Sequence, residues 1–358
     1  MSLGDRIRRL IETAGPLPVS DYMAMCLFDP AEGYYTTREP FGENGDFTTA
    51  PEISQMFGEM VGAWLVHAWR ALGCPTPFAL VEMGPGRGTL MRDILRTARI
   101  DSAFLAAAQI HLVETSERLR GVQAETLVPH AIKWHDDLST LPPLPMLFAA
   151  NELFDAVPVR QFEQTPEGWC ERRVGLDTDG NLALVTGLPV ADKSLLPPGA
   201  SAVPVGAIFE YAPAREAIAA TIGERLATHG GAALVIDYGH IHSGFADTLQ
   251  ALRTHRFVSV FEQPGSADLT SHVDFESLAR AAESAGASAL PAMTQGDFLL
   301  SLGLAERAGA LGHGKDEKTQ AGIRAAAERL AGTGKGEMGG LFKVLCLTGA
   351  PLALPPFP

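Results

Sequence analysis

The sequence predicts an α/β protein built on a mostly parallel sheet, with a helical extension ahead of the sheet and a β-rich insertion within it. Two observations carry the prediction. From Phe78 onward, short apolar runs alternate with helix-period segments: "FALVEM", a helix from Thr89, "QIHLVE", a helix from Ser116, "AIKWH", then "PMLFAAN". That alternation belongs to right-handed βαβ units, which pack helices on both faces of a parallel sheet. Between Val157 and Glu210 the texture changes to short polar and apolar pieces broken by turns such as "DTDGN" and "LPPGA", and this stretch reads as the β-rich insertion.

The elements follow in order. Ile7, Leu10 and Ile11 recur at helical spacing until "GPLP" stops the pattern, and a second short helix is expected over Ser20 to Phe28. "AEGYYTTREPFGENGDFTTAP" is rich in Gly, Pro, Thr and Asn and reads as a long loop that needs a reason to be ordered. Glu52 to Leu72 reads as one amphipathic helix. These segments make up residues 1–75, a helical extension together with the long loop. The sheet-bearing domain is expected over 76–348, with its insertion at about 157–210. After the insertion come a helix near Pro213 to Thr228 and the strand "AALVIDYG". Asp274 can cap a helix over "FESLARAAESAG", a helical stretch covers about Gly296 to Leu330, and "LFKVLCLTG" closes the sheet. The tail, residues 349–358, is expected to be loosely held.

Composition limits the function. The chain has 358 residues, 46% of them hydrophobic, enough for one large domain with insertions or two domains sharing a cleft. A formal net charge of −14 opposes any role that clamps a phosphate backbone, so no nucleic-acid partner is expected. The N-terminal "MSLGDRIRRLIETAG" lacks an apolar core and carries Asp5 and Glu12, unlike a signal or transit peptide. No run approaches the roughly 18 apolar residues of a membrane span. Cys26, Cys74, Cys170 and Cys346 lie far apart with no paired spacing, as in a reducing cytoplasm.

The chemistry concentrates at "LVEMGPGRGTLMRDIL". Gly84, Gly86 and Gly88 alternate directly after a strand. A dinucleotide site would show G-x-G-x-x-G and an acid about 20 residues on. Here the spacing is G-x-G-x-G, Glu82 precedes it, and the next strand ends in Glu114, about 30 residues on. This combination fits S-adenosylmethionine better than NAD. Glycines let backbone approach the donor's zwitterionic end, and Glu82 can accept from its ammonium. Glu114 can accept both ribose hydroxyls. After the third strand "WHDDL" offers Asp136, the first choice, and Asp137 as acceptors from the adenine amino group, although Asp137 is equally suited to capping the next segment.

A second constellation is "ANELFDAVPV", where Asn151, Glu152 and Asp155 lie beyond the carboxyl end of the fourth strand. The Asn/Asp-Pro-Pro-aromatic run used on flat exocyclic amines is absent. Paired carboxylates suit a guanidinium acceptor, which keeps its proton to pH above about 12, because they can hold its fork and favour proton loss as the new bond forms. Glu152 is the candidate for that role and Asp155 its helper; a bracing or capping role for each remains open. His240 and His242 form an H-x-H pair without further zinc ligands, so no metal is expected. "GTGKGEMGG" lacks the Ser or Thr that follows a phosphate-loop lysine.

Five stretches in order, "FGENGDFTTAPEISQMFGEMVGAWL", "LVEMGPGRGTLMRDIL", "NELFDAVPVRQF", "DLTSHVDF" and "MGGLFKVL", resemble the MidA-like family of S-adenosylmethionine-dependent methyltransferases, from about Tyr22 to Leu347. The resemblance implies a Rossmann-like methyltransferase fold, with a mostly parallel seven-stranded sheet and added helical and β elements. Its mitochondrial members assist complex I assembly, which implies a protein substrate, an arginine of a complex I core subunit, and S-adenosylhomocysteine as product. It further implies that "GDFTTAPEISQ" folds over the site, bringing Asp46, Thr49, Glu52 and Gln55 to donor or substrate, and that His272 and Tyr238 line the acceptor pocket; a structural histidine and a half-buried tyrosine are the alternatives. A small-molecule methyltransferase and a weakly catalytic, donor-binding assembly factor remain as other readings, with hydride transfer further behind. Apolar faces on the N-terminal and late helices can support a homodimer or simply pack in the core.

Overall fold

The computed structural model describes residues 1–37 and 48–357. Their contacts divide them into two compact units, one drawn from Met1–Phe47, Phe154–Glu216 and His242–His272, the other from Thr48–Leu153, Ala217–Ile241 and Val273–Pro358. Asp46 lies outside the described residues.

The second unit carries the central sheet. Its strands are β1 (Phe78–Met83), β2 (Ala108–Val113), β3 (Ile132–His135), β4 (Met146–Asn151), β5 (Gly231–His240), β6 (Ser288–Ala289) and β7 (Phe342–Thr348). They run in the order β6-β7-β5-β4-β1-β2-β3, with the two-residue strands Val273–Asp274 and Met293–Thr294 alongside to make nine. From β3 through β5 every pairing is parallel, and β7 runs antiparallel to β5. β1 is buried at every position but its last, as expected of a strand covered on both faces. Trp64, Leu65, Phe78, Leu80, Phe104 and Leu147 share its core. Strand order reverses where β1 meets β4, and in open α/β sheets ligands bind beyond the carboxyl ends of strands at such a point. The glycine turn follows β1 and Asn151 closes β4, so both lie there.

The fold corrects or refines three expectations for this unit. The helix read over Glu52 to Leu72 is two helices, Ala50–Ile53 and Gln55–Ala71, because Ser54 is extended (φ −161°, ψ 140°) and its hydroxyl accepts from the Met56 amide. The stretch from Gly296 to Leu330 is three helices, Gln295–Ser301, Leu304–Gly312 and Glu317–Ala331, the first two separated at Gly303 with φ +92°. The tail is anchored rather than loose: Leu354 and Phe357 are buried, with the Phe357 ring against Trp64 and Phe298.

In the first unit, strands Arg160–Thr165, Gly168–Leu176, Leu182–Pro189 and Ile208–Tyr211 form an antiparallel sheet joined by Leu17–Pro18. A second, three-stranded sheet pairs Gln250–Arg253 with Arg256–Val258 and Asp268–Thr270. Helices Leu3–Ala14 and Val19–Phe28 bury Leu3, Ile7, Tyr22 and Met23 in one core with Val174, Leu182 and Leu269. That shared core is why residues 1–37 group with the inserted strands and with 242–272, whereas 48–75 belong to the unit of the central sheet. Within the long loop, Tyr34–Thr37 is a helical turn with Tyr34 buried.

Candidate functional site

The turn after β1 needs three left-handed residues in five. Gly84, Gly86 and Gly88 have φ of +68°, +51° and +79°, a region costly for any residue with a Cβ. At Gly84 a Cβ would also come within 2.7 Å of Leu153 Cδ1. The turn closes through a Gly88 amide to Pro85 carbonyl bond of 2.7 Å and leads into the helix Thr89–Thr97. Glu82, on β1 just before the turn, is buried, and burial pushes its carboxyl up to about 8 against the opposing pull of a Met91 amide. Its Oε2 has no hydrogen-bond partner among the described residues. A buried acid with an orphaned oxygen beside a glycine-rich turn is chemically matched to a cationic ligand group brought close to the backbone.

Beyond β2 the Glu114 carboxylate accepts from the Ser116 amide at 2.8 Å and from Gln123 Nε2 at 3.2 Å, while burial holds its proton more tightly than usual. Arg120 Nε donates to the Glu114 carbonyl at 2.8 Å, and Arg120 Nη2 pairs with Asp136 Oδ1 at 2.5 Å. The Asp136 side chain is 78% exposed and engaged by that arginine, an arrangement the spacing of "WHDDL" does not foretell. Asp137 takes the capping role: its Oδ1 accepts from the Ser139 amide at 2.7 Å and from the Ser139 hydroxyl, starting the short helix Leu138–Thr140.

At the end of β4, Asn151 is buried, its Nδ2 donating to Glu152 Oε1 at 3.0 Å and its Oδ1 without a partner among the described residues. Glu152 itself has φ +52°, a conformation that costs a non-glycine residue about 1–3 kcal/mol and clusters at functional sites. Its Oε1 also accepts from the Ala50 amide at 2.8 Å, and its own amide donates to Ile236 on β5. The segment expected over the site therefore meets it at two points, since Thr89 Oγ1, next to the glycine turn, donates to Glu52 Oε1 at 2.6 Å. Thr49 caps Ala50–Ile53 through its backbone only, and Gln55 Nε2 donates to Glu59. Tyr238, near the end of β5, packs edge-on against Phe342. Asp237, missed in the sequence, is fully buried and accepts from the Leu153 and Tyr238 amides, tying the ends of β4 and β5 together.

In the other unit Asp155 and His272 are tied through a residue sequence reasoning also missed. The buried Arg215 donates to the carbonyls of Asp155, Val157 and His272 and to the Ser271 hydroxyl at 2.6–3.0 Å. The His272 amide donates to Thr248 Oγ1. Among the described residues no group of three or more His, Cys, Asp or Glu could hold a metal ion, and no helix is long and apolar enough to cross a membrane.

Comparison with known proteins agrees with this geometry. Residues 60–293 match the family model described as "Putative S-adenosyl-L-methionine-dependent methyltransferase". The chain is 38% identical to human "Protein arginine methyltransferase NDUFAF7, mitochondrial" over 327 residues, covering 82% of this chain and 71% of the human one. It is 35% identical to the Drosophila melanogaster homolog over 97% of this chain and 84% of the fly protein. A Burkholderia thailandensis protein solved with S-adenosyl-homocysteine bound superposes with a TM-score of 0.84 at 30% identity, covering 98% of this chain and 93% of that one. With a parallel sheet reversing at β1 and β4, a glycine turn at that reversal and relatives along most of its length, the chain belongs to the MidA-like family of S-adenosylmethionine-dependent methyltransferases.

Proposed function

We propose that this methyltransferase modifies arginine in a protein, a core subunit of respiratory complex I, in the cytoplasm. The observation that carries the reading is Glu152, held in a left-handed conformation by contacts from Ala50, Asn151 and Ile236 at the carboxyl end of β4. The names of the human and fly relatives support an arginine acceptor. On this reading Glu82 receives the donor's ammonium, Gly84, Gly86 and Gly88 let the backbone approach it, Glu114 accepts the ribose hydroxyls, Asp136 serves the adenine amino group and Asn151 completes the wall. S-adenosylmethionine supplies an activated methyl group on a sulfonium, so the protein's task is positioning and charge placement. Glu152 orients the guanidinium and draws positive charge away from the attacking nitrogen. Asp155, His272 and Tyr238 are assigned to the acceptor side, and Asp46, Thr49, Glu52 and Gln55 to the covering segment. A homodimer belongs to the same proposal, through the late helices, because Leu3, Ile7 and Ile11 of the N-terminal helix are buried in the core of their own unit.

The test is radiolabelled methyl transfer to a purified complex I core subunit, with the acceptor identified by peptide mass spectrometry and Glu152→Gln run in parallel. The expected outcome is methylarginine, turnover reduced at least about 100-fold in the variant, and S-adenosylhomocysteine affinity unchanged. Label on a lysine or a small molecule, or full turnover by Glu152→Gln, overturns the proposal.

A further inference from the structure

Gln123 is fully buried on the helix Glu117–Thr126, and each end of its amide has a partner. Its Oε1 accepts from Trp134 Nε1 at 2.9 Å. Its Nε2 donates to the Gly86 carbonyl at 2.8 Å and to Glu114 Oε2 at 3.2 Å. An indole N–H can only donate, so Trp134 dictates which end of the amide faces it. The donor end must then face the glycine turn and the Glu114 carboxylate together. From this geometry we propose that Gln123 is a positioning residue for the methyl donor: oriented by Trp134, it couples the glycine turn to Glu114 and holds that carboxylate as an acceptor for two ribose hydroxyls. The inference rests on the assignment of Glu114 to the ribose.

The site needs such a device. Burial works against an ionised Glu114, whereas hydrogen bonds from Gln123 and from the Ser116 and Thr115 amides favour the charged form. The charged groups facing it are Arg120 on the same helix, one turn before Gln123, and Asp136 at the end of β3, which is paired with that arginine. Arg120 engages the Glu114 carbonyl and Gln123 its side chain, so two neighbours on one helix face fix both the backbone and the carboxylate of one residue. A protonated Glu114 would present a donor where two acceptors are required, and a rotated one would miss the hydroxyls.

The experiment is calorimetric titration of the full chain with S-adenosylhomocysteine from pH 5.5 to 8.5, for the wild type, Gln123→Met, Trp134→Phe, Glu114→Ala and Gln123→Met/Glu114→Ala. Gln123→Met is expected to weaken binding roughly tenfold at pH 7.5, the scale of one hydrogen bond to a charged group. It should also move the acid-side loss of affinity to higher pH, which a merely structural residue would not do. In the Glu114→Ala background the same change should cost about threefold or less, the remainder reflecting the Gly86 contact. Trp134→Phe, which keeps the packing and removes the donor, should shift the pH profile in the same direction by less, and it carries the test if Gln123→Met does not fold. Wild-type affinity in Gln123→Met, an unmoved pH profile, or equal losses with and without Glu114 overturns the positioning role alone. Unchanged binding by Glu114→Ala overturns the ribose assignment and this inference with it.

Discussion

Replacing Glu82 by Gln tests the buried acid at the centre of the donor reading. In the unfolded chain Glu82 ionises near its usual 4.5, whereas in the fold burial holds the proton on until about 8. Between those values the folded state binds more protons than the unfolded state, so this group's contribution to stability is fully present below pH 4.5 and is lost as pH rises to 8. Each pH unit of the interval is worth about 1.4 kcal/mol, and the whole interval accumulates to roughly 5 kcal/mol. Gln does not titrate and keeps an oxygen that can accept from the Met91 amide. Glu82→Gln should therefore match the wild type within about 1 kcal/mol at pH 5 and exceed it by several kcal/mol at pH 8. Urea unfolding at pH 5, 6.5 and 8 measures the difference. A gap that stays constant with pH, or a variant less stable at pH 8, refutes the reasoning. On the donor reading the same group couples to the ligand: an ammonium beside Glu82 favours its ionised form, so at pH 7 binding should release most of a proton in the wild type. That release, read by titrating S-adenosylhomocysteine in buffers of different ionisation enthalpy, should be absent in Glu82→Gln.

Three further outcomes are expected. Gly84→Ala places a methyl group 2.7 Å from Leu153 Cδ1 at φ +68°; thermal melting should show about 1–2 kcal/mol of lost stability, and S-adenosylhomocysteine affinity should fall by more than about tenfold. His111, buried with its Nδ1 2.8 Å from His135 Nε2, is held down to about 4 by burial. Its contribution is present above pH 6.5 and lost as pH falls from there to 4, a total of roughly 3 kcal/mol, so acid unfolding of His111→Gln should begin from lower stability at neutral pH yet depend less steeply on pH. Phe357→Ala removes a ring packed against Trp64 and Phe298 and should cost about 3 kcal/mol in chemical unfolding; an unchanged midpoint would show that the tail is not part of the core.

Much of this protein can be read locally. β1 and β4 announce themselves as apolar runs because strands buried on both faces have no polar side to show, and the glycine turn because no other residue adopts left-handed backbone so readily three times in five. The positions of Glu82 and Asn151 follow from those strands and that of Glu114 from β2, since each is set by where its strand stops. The same local reading runs Glu52 to Leu72 as one helix, because the extended backbone at Ser54 is not encoded in apolar spacing.

Tertiary structure decided the partners. Glu152 finds the Ala50 amide 102 residues away, and Arg215 finds carbonyls 57–60 residues away; nothing in the spacing of either residue says so. Gln123 and Asp237 look like ordinary polar residues until burial leaves each only a few groups to bond, and nothing in "WHDDL" foretells that Arg120 pairs with Asp136. Periodicity and backbone preference act over a few residues and were therefore written in the order of the chain. Hydrogen bonds among buried groups depend on which distant segments the core brings together, and only the folded protein holds them at bonding distance.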